Sequence, residues 1–239
     1  MYERYMRRLA MSPDELEAHL CETFPGQRKT EPQFWRDPRF NNPSQPVVGI
    51  CWHEARAYCR WLGDQGGAPF RLLSEVRREA AARGKAARRL AYGDDFTAWR
   101  SNTMEAHLRQ VAPIGIFPDG DTPEGAADMA GNVYTWTSTA WGADPASSAF
   151  PYPYDAADGR EAADTAPDVQ RIIRGGSWYD DWPTSLAYAR MNAYASDQRR
   201  VRGVGVRVGL STTDRRVGLE RTSPATASTE DGELAGPTN

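Results

Sequence analysis

The chain holds three cysteines and three histidines, the residues that could offer thiolate or imidazole to a metal or a nucleophilic step. Cys51 and Cys59 stand eight apart and Cys21 is remote, so they form neither a CxxC pair nor a disulfide framework. Reduced, partly buried thiols are the expectation. His19, His53 and His107 are scattered, and no two have the spacing that places both imidazoles on one helix face. Sulfur and imidazole chemistry thus has poor material.

Residues 179–202, YDDWPTSLAYARMNAYASDQRRVR, point to recognition instead. Rigid aromatics interleaved with small polar groups are the composition of binding loops, and aromatics and arginine are common energetic anchors. The segment predicts a surface for a protein or other macromolecular ligand. Tyr179, Trp182, Tyr188 and Tyr194 are the expected anchors, and Asp180, Asp181, Thr184, Ser185, Asn192, Arg200 and Arg202 are expected to tune polarity. Leu186, Ala187, Ala189 and Val201 would face inward, with Arg190 and Arg199 donating to carbonyls. The alternative is a surface that only covers a core.

Such a surface needs a scaffold. Ser12, Pro13 and Glu15 form a capping box for a short helix over 13–22. Residues 25–46 are rich in Pro, Asn and Arg and predict irregular backbone. PVVGIC at 46–51 predicts a strand, and the following HEARAYCRWLGDQ a helix with Ala55, Cys59 and Leu62 on one face, ended by Gly66 and Gly67. FRLL at 70–73 precedes Ser74, which caps a helix running to Gly84. That helix, SEVRREAAAR, reads as solvated and laced with charge pairs. VAPIGIFPDG at 111–120 predicts a strand with a turn at Asp119-Gly120. Residues 142–170 lack periodicity, and Tyr152 and Tyr154 are expected to pack this long segment against the domain. RIIRGGSW and GVGVRVGL predict the closing strands, and 211–239 a disordered tail.

The formal net charge of −3 gives no global basic field for nucleic acid. No apolar run approaches the roughly 20 residues of a membrane helix, and the amino-terminal stretch lacks an apolar signal core, so neither nucleic acid nor membrane is an expected partner and a cytoplasmic site is the default. With 21 glycines, 17 prolines and eight tryptophans, the composition suits an irregular, loop-rich domain stiffened by aromatics.

PVVGICWHEARAYCRWLG, RLLSEVRREAAARG, VAPIGIFPDG, GAADMAGNVYTWTST and RIIRGGSW…GVGVRV occur in an order that resembles the formylglycine-generating-enzyme (sulfatase-modifying factor) family. The resemblance implies an α+β, C-type-lectin-like fold: short twisted antiparallel sheets, two or three short helices and much irregular loop. It places that domain at 35–210, after a helical and polar lead-in at 1–34. Active members hold copper through two cysteines just after the GGS motif, at places that look like Asp180 and Ser185 here; soft thiolates suit Cu(I), and neither residue supplies one. A second branch uses iron held by histidines, for which no HxxxH pair exists. Members also bind calcium. One such place looks like Asp128, Gly131 and Val133, with Thr135 where a carboxylate would stand, and another like Asn102 and Thr103 with Glu105 nearby. The GGSW frame also resembles the variable proteins of diversity-generating retroelements. The expectation is a non-catalytic, ligand-binding protein that requires no cofactor. The alternatives are an oxidase acting on a protein cysteine and an accessory domain of a bacterial signalling or defence protein.

Overall fold

A computed structural model describes residues 10–12, 14–15, 18–19, 22, 31–166, 168–195 and 202–210. At the amino terminus Glu15 accepts from both the Ser12 amide and hydroxyl at 2.8 Å, and the Ser12 hydroxyl accepts from the Glu15 amide, so the capping box forms.

Helix α1 (Trp52–Gly66) starts where Glu54 accepts the Cys51 amide at 2.8 Å. It stops where Gly67 turns left-handed at φ 61°, a conformation that glycine adopts without steric cost. Trp52, Ala55 and Cys59 are its buried face, and the Trp52 indole donates to the Thr137 carbonyl at 2.8 Å. Strand β1 (Phe70–Leu72) follows, then α2 (Glu75–Arg83), capped by the Ser74 hydroxyl and closed at Gly84.

The remaining strands are β2 (Tyr134–Gly142), β3 (Gln170–Arg174), β4 (Met191–Tyr194), β5 (Val204–Gly205) and β6 (Val208–Leu210). They form a four-stranded sheet in the order β4-β3-β2-β5 and a two-stranded β1-β6 ribbon. All pairs are antiparallel except β2-β5, which is parallel. Ile172 and Ile173 point to opposite faces of β3, yet every residue of β3 is buried, so the sheet is covered on both sides. The main core joins Ile50, Trp52, Leu72, Tyr134, Trp136, Ile173 and Val204. Trp136 is anchored by its indole donating to the Ile50 carbonyl.

Two expected strands do not form. Residues 46–51 and 111–120 are irregular, although Val48, Ile50 and Val111 are buried. Pro46, Pro113 and Pro118 carry no amide donor for a ladder, and Gly49 and Gly115 sit at φ 74° and 78°. The segments reach each other instead through Ile114 N–H to Ser44 O and Gln45 Nε2 to Val111 O. The turn expected at Asp119-Gly120 is a 3-10 helix, Pro118–Gly120. The expected closing strand is split into β5 and β6, which serve different sheets. Of the long connection after β2, Tyr152 bonds Glu79 and Arg174, while Tyr154 donates at 2.8 Å to Glu161, which is itself held to β2 by the hydroxyls of Ser138 and Thr139. Residues 211–239, expected to be a tail, lie outside the described residues. No helix among the described residues is long and apolar enough to cross a membrane.

Candidate functional site

The turn after β3 is made by Gly175 and Gly176 at φ 111° and 74°. A Cβ on Gly176 would lie 2.9 Å from the backbone of Ser185, so its absence lets 185 close onto the turn. Positions 177, 180 and 185 are thereby gathered. The Ser177 hydroxyl is bonded to the Asp180 carboxylate, and the buried Ser185 hydroxyl donates to the Trp182 carbonyl at 2.6 Å. Burial, then neighbouring Asp181, raises the Asp180 carboxyl above its ordinary range, against the hydroxyl donors. Burial, then the nearby Asp180 charge, also raises the Tyr134 hydroxyl, a buried oxygen without a hydrogen-bond partner among the described residues. The cluster is hydroxyl and carboxyl throughout. Cys59 lies on α1, where burial pushes its thiol up to about 11, which keeps it neutral near pH 7. Among the described residues no three His, Cys, Asp or Glu side chains gather as a metal site.

The expected recognition residues fall into three neighbourhoods. Residues 179–185 pack beside 102–105, with Met104 N–H donating to Asp180 O and Trp182 N–H to Glu105 Oε1. Tyr188 lies under the Arg83 guanidinium at the end of α2. On edge strand β4, Asn192 donates to the Pro145 carbonyl at 2.8 Å, and Tyr194 stands opposite Gln170. Tyr179, Tyr188 and Tyr194 are 38%, 44% and 41% exposed. Trp182 is half-buried and stacked on Phe96 at 5.1 Å and 18°. Ala187 is buried as expected, while Leu186 and Ala189 are half-buried. Arg202 lies over the Phe34 ring; Arg199, Arg200 and Val201 fall outside the described residues. Trp182→Ala is therefore expected to cost about 1–3 kcal/mol by urea denaturation, and Tyr188→Ala less than about 0.5. Equal losses would contradict the stacking.

Charge on α2 departs most from expectation. The helix is solvated on one face only, where Arg77 is exposed and Glu79 pairs with Arg83 as expected; Glu75 and Arg78 are buried. The Glu75 carboxylate accepts from Arg174 Nη2 at 2.7 Å and from Arg190 Nε and Nη2 at 2.8 and 3.0 Å, with Arg160 at 3.8 Å. A signal existed in the sequence. RIIR puts two arginines in an apolar strand, and a buried guanidinium needs a partner.

Arg78 and Arg207 settle on the loop resembling a calcium site. Arg78 Nη2 donates to Met129 O at 2.8 Å and its Nε to Thr135 Oγ1 at 3.2 Å. Arg207 Nη2 donates to Ala127 O at 2.7 Å and Asp128 O at 3.3 Å. Of these four acceptors, the Asp128 carbonyl and the Thr135 hydroxyl belong to residues named for that place, so the two guanidinium groups take up part of its oxygen set. Asp128 accepts from Gly115 N–H, Gly131 donates to Gly175 O at 2.6 Å, and Val133 packs in a small core with Phe40. At the other place Asn102 Oδ1 is buried without a partner among the described residues, a single oxygen that a cation could take. Glu105 is turned to the Thr103 hydroxyl and Trp182 N–H, and Asn102 Nδ2 to Gln110 O and Asn132 Oδ1.

Two flanking helices, small sheets joined by long irregular connections and a glycine turn closing on residue 185 define a C-type-lectin-like domain of the formylglycine-generating type. Residues 2–210 match the sulfatase-modifying factor enzyme 1-like domain, and the chain belongs to that family. It is 32% identical over 168 residues to the formylglycine-generating enzyme of Streptomyces coelicolor, covering 64% of this chain and 48% of the relative. It is 30% identical over 174 residues to a hercynine oxygenase of Mycolicibacterium thermoresistibile, 67% of this chain and 36% of the relative. An inactive C-alpha-formylglycine-generating enzyme 2 of Bos taurus is 30% identical over 169 residues, 63% and 46%. The chain thus spans less than half the length of these curated relatives. Among solved structures, PvdO from Pseudomonas aeruginosa superposes with a TM-score of 0.55 at 28% identity, covering 70% of this chain and 62% of that one. Treponema denticola variable protein 1 superposes at 0.55 with 17% identity, covering 69% and 70%, a likeness of fold.

Proposed function

We propose that this chain is a non-catalytic family member that binds a protein or other macromolecular ligand through the segment 179–202, whose exposed Tyr179, Tyr188 and Tyr194 stand in three neighbourhoods. The observation that carries the reading is the pair at 180 and 185. A carboxylate and a hydroxyl stand where copper-holding thiolates would, and both are bonded within the fold, Asp180 to Ser177 and Ser185 to the Trp182 carbonyl. Hard, internally satisfied oxygens are poor ligands for Cu(I). The similarity to an inactive bovine relative supports the same direction. In this reading guanidinium donation from Arg78 and Arg207 braces the 127–135 loop without a bound calcium ion.

The test is copper itself. Competition against a chromophoric Cu(I) chelator is expected to give no stoichiometric complex. Oxygen consumption with a cysteine-containing peptide is expected to match the protein-free blank, and exchanging calcium for chelator is expected to move the melting temperature by less than about 1 °C. A one-to-one copper complex with oxygen-dependent loss of peptide thiol would restore the oxidase reading.

A further inference from the structure

Away from the GGS turn, a cleft of about 590 Å³ opens between α1, β1, the start of α2 and the long β2–β3 connection. Arg56, Arg60, Arg71 and Arg77 line it, against one carboxylate, Glu161. Arg56 and Arg60 share a face of α1 because they are four residues apart. Glu161 offsets one of these charges at most. Its oxygens accept from the hydroxyls of Ser138 at 2.5 Å, Thr139 at 2.6 Å and Tyr154 at 2.8 Å. Among the described residues no ion pair holds Arg56, Arg60 or Arg77.

More positive charge stands behind the wall. The Arg171 guanidinium lies 4.0 Å from the centre of the Trp52 ring, and Arg56 lies 5.5 Å from the same ring. Burial, then the Arg56 charge, pushes Arg171 down to about 10, with Glu161 and Asp164 acting the other way. A chain of net charge −3 has therefore gathered Arg56, Arg60 and Arg77, none held in an ion pair among the described residues, in one concave place. Concave walls focus the field of such a cluster, and guanidinium forks match the oxygens of phosphate. Phe70 and Val76 add apolar lining, and the volume is that of a small-molecule site.

We propose that this cleft binds a small organic phosphate, its oxygens held by Arg56, Arg60 and Arg77 and its carbon body against Phe70 and Val76. The site is independent of the reading of positions 180 and 185 and survives that reading's failure. The test is calorimetric titration with inorganic tripolyphosphate, and with adenosine triphosphate as an organic phosphate, at matched ionic strength. Both should bind, with Kd of about 10–100 μM, and the organic phosphate should bind at least as tightly. Arg60 and Arg77 are exposed, so Arg60→Gln/Arg77→Gln should keep the melting temperature while weakening both ligands at least about tenfold. Arg60→Lys/Arg77→Lys should recover part of the loss, and Arg39→Ala, outside the cleft lining, should change nothing. Absence of binding up to about 5 mM would overturn the site. So would equal weakening by Arg39→Ala, which marks diffuse attraction, or full affinity in the double glutamine variant.

Discussion

Glu75→Gln will lower the unfolding free energy by about 3–5 kcal/mol. The carboxylate is fully buried and takes three hydrogen bonds from Arg174 and Arg190, with Arg160 beside it. Glutamine keeps the shape but removes the charge, and its amide hydrogens would point at guanidinium donors. The uncompensated arginines, rather than the lost bonds alone, set the size of the effect. Urea denaturation measures it. Glu124→Gln is the contrast: Glu124 pairs with Arg88 at 2.7 Å but its side chain is 54% exposed and screened by solvent, so its loss should be much the smaller of the two. Similar losses at the two sites would show that the buried cluster is not the electrostatic centre of the domain.

Gly131→Ala is expected to cost about 2–4 kcal/mol, from backbone strain and overpacking together. Gly131 sits at φ 73°, and an added Cβ would lie 2.6 Å from the Asn102 carbonyl oxygen. Its amide donates to Gly175 O, while Asn132 N–H donates to Asn102 O, so the loops at 102, 131 and 175 are tied at this residue. Asn102 would have to withdraw. Gly67→Ala separates the two contributions. Gly67 is also left-handed, at φ 61°, but an added Cβ meets nothing within 4 Å, so it should cost only about 1 kcal/mol. Equal falls in melting temperature would mean that the approach of Asn102 to Gly131 is not close in solution.

Local chemistry was readable where it is local. The boundaries of α1 and α2 follow from Gly67, Ser74 and Gly84, whose caps depend on neighbours within a few residues. The family order of motifs led to the fold, and the lack of thiols at 180 and 185 was plain from residue type. Burial was harder. Glu75 reads as surface charge because its partners Arg174 and Arg190 lie 99 and 115 residues away. Trp182 reads as a projecting anchor because nothing near it in sequence announces Phe96. At 46–51 and 111–120 prolines and left-handed glycines removed the ladder that would have made them strands, and burial is uneven: Val48, Ile50 and Val111 are inside, while Val47, Ile114 and Ile116 are exposed.

The adjacency of β5 and β6 in the chain, each serving a different sheet, carries a consequence for biosynthesis. One stretch of seven residues, 204–210, closes an edge of the larger sheet and is the whole partner of β1 in the smaller one. A nascent chain that has already extruded α1, α2 and β2 still lacks both seams. Neither sheet can be completed until this stitch clears the ribosome, so the domain gains its cooperativity at the last moment rather than layer by layer.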